Sequence, residues 1–196
     1  MTLVLLDSNT YLRLAKRVRP AVGVRFGQKG YVLTILKAVE DEVHRNPRLQ
    51  HKYPWFDSAE FADERMAKQV RLSADEKRSI QAVQSVLLGS VREDAERFVS
   101  GGSPPGPTDC WLLAFGQVRP AIVVTDDLGM HALARDFNIR MWHGYELLDK
   151  LRSAKVVDAE LIRDIYDALE RNGDLTATWR NAKHSIFGRI FGPARG

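Results

Sequence analysis

Apolar residues recur along this chain in two alternating patterns. TLVLL (2–6) is a continuous apolar run of strand length, and SNTYLRLAKRV (8–18) follows with helical spacing until Pro20 and Gly23 interrupt it. YVLTI (31–35) repeats the strand pattern and runs into LKAVEDEVHR (36–45), where Leu36, Val39 and Val43 share one helical face. Pro47 is expected to stop that helix, and HKYPWF (51–56) reads as an irregular connection. A helix is expected over 58–71. Ser73 and Glu76 then form an S-x-x-E capping box ahead of another helix, with Ile80, Val83 and Leu87 on one side. SGGSPPGP (100–107) is a sharp break before TDCWLLAFG (108–116), which is apolar enough for a buried helix.

AIVVT (121–125) supplies a third strand, and Met130, Leu133, Ala134 and Phe137 mark the helix after it. IRMW (139–142) is a fourth strand and GYELLDKL (144–151) its helix. Beyond Lys155 an amphipathic helix carrying Leu161, Ile162, Ile165 and Leu169 ends at Asn172-Gly173. Strand followed by helix, four times over, predicts an α/β fold: a central parallel sheet of four to five strands covered by helices on both faces. On this reading the main domain spans 1–152 and carries a helical insertion at about 47–106. Residues 153–196 form a basic, helical C-terminal extension.

Composition narrows the classes. A chain of 196 residues, 44% hydrophobic and 28% charged, can bury a sizeable core. With Cys110 as the single cysteine, neither an internal disulfide nor a cysteine-based zinc cluster can form, which suits a reducing compartment. No apolar run approaches the roughly 18 residues of a membrane span. MTLVLLDSNT lacks a basic leader region, so a cytoplasmic protein is expected.

The net charge of +4 is modest, but the charge is segregated. Thr10 to Val39 has no acidic residue while holding Arg13, Lys16, Arg17, Arg19, Arg25, Lys29 and Lys37. Thr176 to Gly196 likewise has no acid, and holds Arg180, Lys183, Arg189 and Arg195 among Trp179, Phe187 and Phe191. Such separation builds local positive fields that suit a polyanion, and Arg13, Lys16, Arg17, Arg25 and Lys29 are the candidate RNA-binding residues. The aromatic residues of the tail either stack bases or dock the tail on its own domain.

The acids fall where a sheet of this kind binds ligands, beyond the carboxyl ends of its strands. Asp7 follows the first strand, Asp126 and Asp127 follow the third, Asp109 opens the buried helix, and Glu40 and Glu42 lie on the helix leaving the second strand. Each has an ordinary explanation as a helix cap or a solvated glutamate. Gathered together, they repel one another, and a hard divalent cation such as Mg²⁺ or Mn²⁺ would relieve that repulsion. A basic rim beside an acidic metal pocket suits phosphodiester hydrolysis. His131, four residues past Asp127, either faces this site or serves as a surface or capping histidine.

LLDSNTYL (5–12), ILKAVEDEV (35–43), PTDCWLLAFG (107–116) and VVTDDLGMHALARDFNIRMW (123–142) together resemble the four motifs of PIN domains. These are metal-dependent nucleases that include the toxins of many bacterial toxin–antitoxin pairs. The resemblance spans roughly 2–151. It implies a PIN-like three-layer fold and a Mg²⁺- or Mn²⁺-dependent endoribonuclease. Asp7, Glu42, Asp109 and Asp127 would be its metal-binding and catalytic residues, with Asn9 and Thr125 supporting the site. Glu42 fits the family's apolar-x-x-E-apolar run better than Glu40, its alternative, and Asp126 takes the variable place in T-x-D as a water-mediated ligand at most. An antitoxin protein and a homodimer are implied as partners alongside RNA. The insertion and the tail exceed the minimal fold.

Two other classes compete. One is a phosphohydrolase forming an aspartyl phosphate at Asp7, which usually requires a second aspartate where this chain has Asn9. The other is a non-catalytic nucleic-acid- or protein-binding module whose acids are caps.

Overall fold

The computed structural model describes residues 1–67, 69–99 and 102–193, with backbone only at 15 and 16. The expected strands and helices form in the expected order. Strand β1 (Thr2–Leu6) leads into helix α1 (Ser8–Val18), and β2 (Arg25–Phe26) and β3 (Tyr31–Thr34) make a short hairpin before α2 (Lys37–Arg45). The insertion follows as α3 (Pro47–Lys52), α4 (Ala59–Ala67) and α5 (Ala74–Glu93), with short 3₁₀ turns at Pro54–Asp57 and Ala95–Phe98. The sheet then resumes through α6 (Pro107–Val118), β4 (Ala121–Val124), α7 (Leu128–Asp136), β5 (Met141–Trp142) and α8 (Gly144–Ser153). Helices α9 (Ala159–Arg171), α10 (Ala177–Ser185) and α11 (Gly188–Phe191) form the extension.

The sheet order is β2-β3-β1-β4-β5. Strands β3, β1, β4 and β5 are parallel, registered as Leu3 opposite Val32 and Ala121, and Val123 opposite Met141. The edge strand β2 runs antiparallel to β3, which departs from an all-parallel reading. With two residues and no apolar alternation, β2 exists only through its pairing. Strands β1 and β4 are the most apolar because helices cover both faces: Val4, Leu5 and Leu6 are fully buried, as are Val123 and Val124.

The insertion corrects two local expectations. Pro47 does end α2, but it also opens α3 at the first-turn position, where a missing N–H costs nothing; Asn46 caps that turn by accepting from Arg48 and Leu49 N–H. HKYPWF is therefore mostly helical rather than irregular, and the helix expected over 58–71 is the shorter α4. The Ser73–Glu76 capping box forms reciprocally, as expected. Helix α6 is buried along most of its length, with Cys110 and Leu112 to Gly116 inside.

The extension is not a separate lobe. Ile162, Ile165, Tyr166, Leu169, Trp179 and Phe187 join the same apolar cluster as the sheet. The α9 helix stops at Asn172-Gly173 as expected, Gly173 taking the left-handed conformation (φ 70°). Among the described residues, no helix is long and apolar enough to cross a membrane.

Candidate functional site

Strand β1 has β3 on one side and β4 on the other, so consecutive crossovers leave it in opposite directions. A crevice opens at such a switch point beyond the carboxyl ends of the strands. Asp7 and Thr125 stand there, one residue past β1 and β4. The Asp7 N–H donates to the Val124 carbonyl (3.2 Å), tying the two strand ends together. Asp7 caps α1, accepting from Thr10 N–H at 2.6 Å, and its second oxygen accepts from the Thr125 hydroxyl at 2.5 Å. That hydroxyl, fully buried, also accepts from Asp127 N–H (3.1 Å). Asp127 caps α7 through Met130 N–H (2.9 Å) and is exposed at the rim. Thus Asp7, Thr125 and Asp127 form one hydrogen-bonded chain, and the capping explanation holds for both aspartates.

Asp109 and Glu42 complete the acidic wall. Asp109 lies in the first turn of α6, held by Gly106 N–H (2.8 Å). Burial pushes its carboxyl up to about 6, with the charges of Glu42 and Asp127 adding to the rise. Burial likewise raises Glu42, opposed by a hydrogen bond with Ser8 and by the Arg45 charge, and reinforced by the Asp7 charge. Asp7 itself is pushed up to about 6, again mainly by burial; Thr10 and Thr125 resist, and Asp126 contributes repulsion. The side chains of Asp7, Glu42, Asp109 and Asp127 are therefore within electrostatic reach of one another in a chain of pairs. Glu40 is not among them. It faces the other side of α2, where Arg65 Nε (3.1 Å) and Gln69 Nε2 (2.9 Å) hold its two oxygens.

Among the described residues, no three acidic, histidine or cysteine side chains stand close enough to enclose an ion as placed. Mg²⁺ does not require such a cage: it commonly binds through one or two carboxylates, waters and substrate phosphate. The donors are all oxygen. Buried Asp7 and half-buried Asp109 have raised pKa values, and each oxygen of Asp7 accepts one hydrogen bond while having two acceptor sites. Residues of this type fit a hard divalent cation.

A cleft of about 410 Å³ adjoins the site, lined by Asp7, Asn9, Arg13, Asp127 and, across from them, Thr176 and Thr178 of the extension. Asp126 also borders it, but both its oxygens are engaged, by Gly144 N–H (3.0 Å) and by the Trp179 indole N–H (2.7 Å). Desolvation is outweighed there by hydrogen bonds from His143, Trp179 and Gly144 and by the Arg13 charge, so its carboxyl falls below the ordinary range. A larger hollow of about 750 Å³ between α2 and α5 contains Lys37, Asp41 and Gln69 and lies away from the acids just described.

The expected basic rim is only partly present. Arg13 reaches the cleft, where it pairs loosely with Asp126 (3.8 Å) and Asp174 (3.5 Å). Arg17 lies one turn further along α1, in a second hollow that Arg13 also lines, beside Tyr53 and Trp55. Arg25 and Lys29 are exposed at the opposite end of the sheet: the hairpin turn docks on the amino end of β1 through Thr2 N–H to the Gly30 carbonyl. The side chain of Lys16, and Arg195, lie outside the described residues. Trp179 and Phe187 are buried and, with Phe191, pack edge-on against Tyr166, so the tail's rings dock the tail rather than offer stacking platforms. His131 Nε2 meets the Thr125 carbonyl (2.9 Å) and its ring stacks on His143, a packing role that also stiffens the site. Sequence reasoning missed Ser8, Gly144 and His143 as site neighbours. Only Ser8, beside Asp7, carried a signal.

No family model matches the chain, and no curated protein matches it. Among solved structures it is similar to VapBC2 from Rickettsia felis bound to a DNA fragment from its promoter. Sequence identity is 12% and the TM-score 0.44, over 72% of this chain and 98% of that one.

Proposed function

We propose that this chain is a PIN-like, divalent-metal-dependent endoribonuclease. The observation that carries the reading is the chain of mutually repelling acids Asp7, Glu42, Asp109 and Asp127, from four separate segments, at the carboxyl edge of the sheet, where three of the carboxyls stay raised although the Arg45 charge partly offsets Glu42. Asp7 and Asp127, linked through Thr125, and Asp109 with Glu42 behind them, would hold Mg²⁺ or Mn²⁺ directly or through water, with Asn9 as a further oxygen donor. When bound, the ion would activate water and neutralise charge on the departing oxygen. Arg13 would steady the phosphate at the cleft. A toxin with a protein antitoxin and a homodimeric state, as the sequence motifs imply, is the setting proposed for this activity.

The competing reading, a binding module whose acids are caps, is favoured by the cap bonds of Asp7 and Asp127. It gives no reason for two partly or wholly buried acids whose carboxyls neighbouring negative charges push further upward. Asp7→Asn separates the readings, because asparagine caps a helix as well as aspartate does. The variant should fold, bind Mn²⁺ more weakly in a calorimetric titration, and lose Mn²⁺-dependent cleavage of a single-stranded oligoribonucleotide. Undiminished cleavage, or a wild-type protein that binds no Mn²⁺ near millimolar concentrations, would overturn the proposal.

A further inference from the structure

The first aspartate of the Asp126-Asp127 pair meets the C-terminal extension. The Trp179 indole N–H donates to Asp126 Oδ2 at 2.7 Å across a sequence separation of 53 residues, and Gly144 N–H donates to Oδ1 at 3.0 Å. Trp179 is 1% exposed, its ring edge-on to both Tyr145 and Tyr166, and its carbonyl accepts from the Tyr166 hydroxyl (3.2 Å). Gly144 is shaped for this arrangement. A Cβ there would come within 2.7 Å of the Trp179 ring and 3.3 Å of Asp126 Oδ2. Asp174, between α9 and α10, adds a second attachment through Arg13 (3.5 Å) and Lys52 (3.7 Å).

Two consequences follow for the cleft. Trp179 is in the first turn of α10, so fixing it sets Thr176 and Thr178 as the wall facing Asp7 and Asp127. Asp126 is also covalently next to Asp127. With its carboxylate held against Trp179 and Gly144, the Thr125–Asp127 backbone is kept in the orientation that lets Asp127 N–H reach Thr125 Oγ1 and Asp127 Oδ1 cap α7. A side chain that orients the groups holding a ligand commonly matters nearly as much as those groups do.

We propose that Trp179 and Asp126 are positioning residues, a clamp by which the C-terminal extension orients Asp127 and closes one side of the catalytic cleft. Asp126 therefore acts through Asp127 rather than as a ligand of its own. The inference rests on the nuclease reading for its catalytic part only; the clamp itself is a property of the fold.

The test uses the full chain with three changes: Trp179→Phe, which keeps the ring and removes the donor; Asp126→Asn; and Gly144→Ala, which displaces the ring. Hydrogen exchange by NMR, with no metal present, should show faster exchange at the Asp127 and Met130 amides in all three, while amides of β1 and α6 stay protected. Mn²⁺ affinity should fall on the order of tenfold in Trp179→Phe and Asp126→Asn. The double variant should lose less than the sum of the two single losses, because the indole donor and the carboxylate acceptor share one interaction. Cleavage of a single-stranded oligoribonucleotide should lose kcat/KM in step with Mn²⁺ affinity and recover at saturating Mn²⁺. Unchanged exchange at Asp127 and Met130 would overturn the clamp whether or not the protein is a nuclease. Faster exchange with unchanged Mn²⁺ affinity would overturn its positioning role. Wild-type protein that shows the exchange pattern but binds no Mn²⁺ and cleaves nothing would refute the nuclease reading and the catalytic part of the clamp, leaving the exchange pattern to a structural tie.

Discussion

Glu40 and Glu42 stand two residues apart on α2 and face opposite sides of the helix, into two differently built environments. On the Glu40 side, a nearly fully buried Arg65 donates to the carboxylate, Gln69 takes the other oxygen, and the guanidinium lies 3.7 Å from the Phe56 ring centroid. That acid has its countercharge inside the fold. On the Glu42 side, the neighbours are Asp7 and, through Asp109, Asp127; the Arg45 charge opposes them, yet burial and mutual repulsion leave these carboxyls raised. The contrast is between an acid built into the fold and acids that repel one another. Glu40 is hydrogen-bonded to its own buried arginine, whereas Asp7, Glu42 and Asp109 have no such partner bonded to them among the described residues, which is what the proposed cation site would use.

The largest expected effect breaks the comparison on its compensated side. Arg65→Met leaves Glu40 buried without its countercharge and should cost roughly 3–5 kcal/mol, read from the midpoint of urea unfolding. Adding Glu40→Gln should recover much of the loss, since an uncharged pair has little to desolvate. If Arg65→Met unfolds at the wild-type midpoint, the two sides of α2 are not different in kind.

A somewhat smaller effect sharpens the uncompensated side. Asp7 is raised in the folded state from 3.8 to about 6, so its contribution to stability is fully present below the unfolded value and is lost as pH rises through about 6. Asp7→Asn does not titrate at this position, and comparing it with wild type isolates the effect. In chelator, wild type should lose stability relative to the variant between about pH 4 and pH 6, by on the order of 3 kcal/mol. Mn²⁺ should shrink the difference by favouring the ionised form. A gap that stays constant with pH would mean that Asp7 ionises as freely in the fold as out of it.

The strands, the capping box and the acids past the strand ends were legible because each is written in local pattern: apolar runs, S-x-x-E, and aspartate at a helix start. The two-residue strand β2 was not, since its only stabilising partners are the backbone groups of β3. The roles of Asp126 and Asp127 could be ranked from T-x-D, but what Asp126 does instead depended on an indole 53 residues away. What distinguishes the surroundings of Glu40 and Glu42 was likewise beyond local pattern, because the Arg65 partner of Glu40 lies in an insertion that no motif covers. The tail's mixture of aromatic and basic residues fits a stacking surface and a docking helix equally well by composition. Burial of Trp179 and Phe187 decides for docking.

The smallest expected effect concerns the two ends of the sheet. Charge segregation in the sequence placed Arg25 and Lys29 with Arg13 as one basic rim, yet the hairpin carries the first two to the amino edge. The five residues of β1 at about 3.3 Å each put that edge roughly 16 Å from Asp7. That is about two Debye lengths at physiological salt, beyond which exposed charges are largely screened. Arg13, by contrast, lines the cleft itself. The double change of Arg25 and Lys29 to alanine should therefore leave kcat/KM for a short oligoribonucleotide within about twofold of wild type at physiological salt, while Arg13→Ala raises KM. An equal loss in both would show that the RNA path wraps around the edge of the sheet, joining the two ends into one surface.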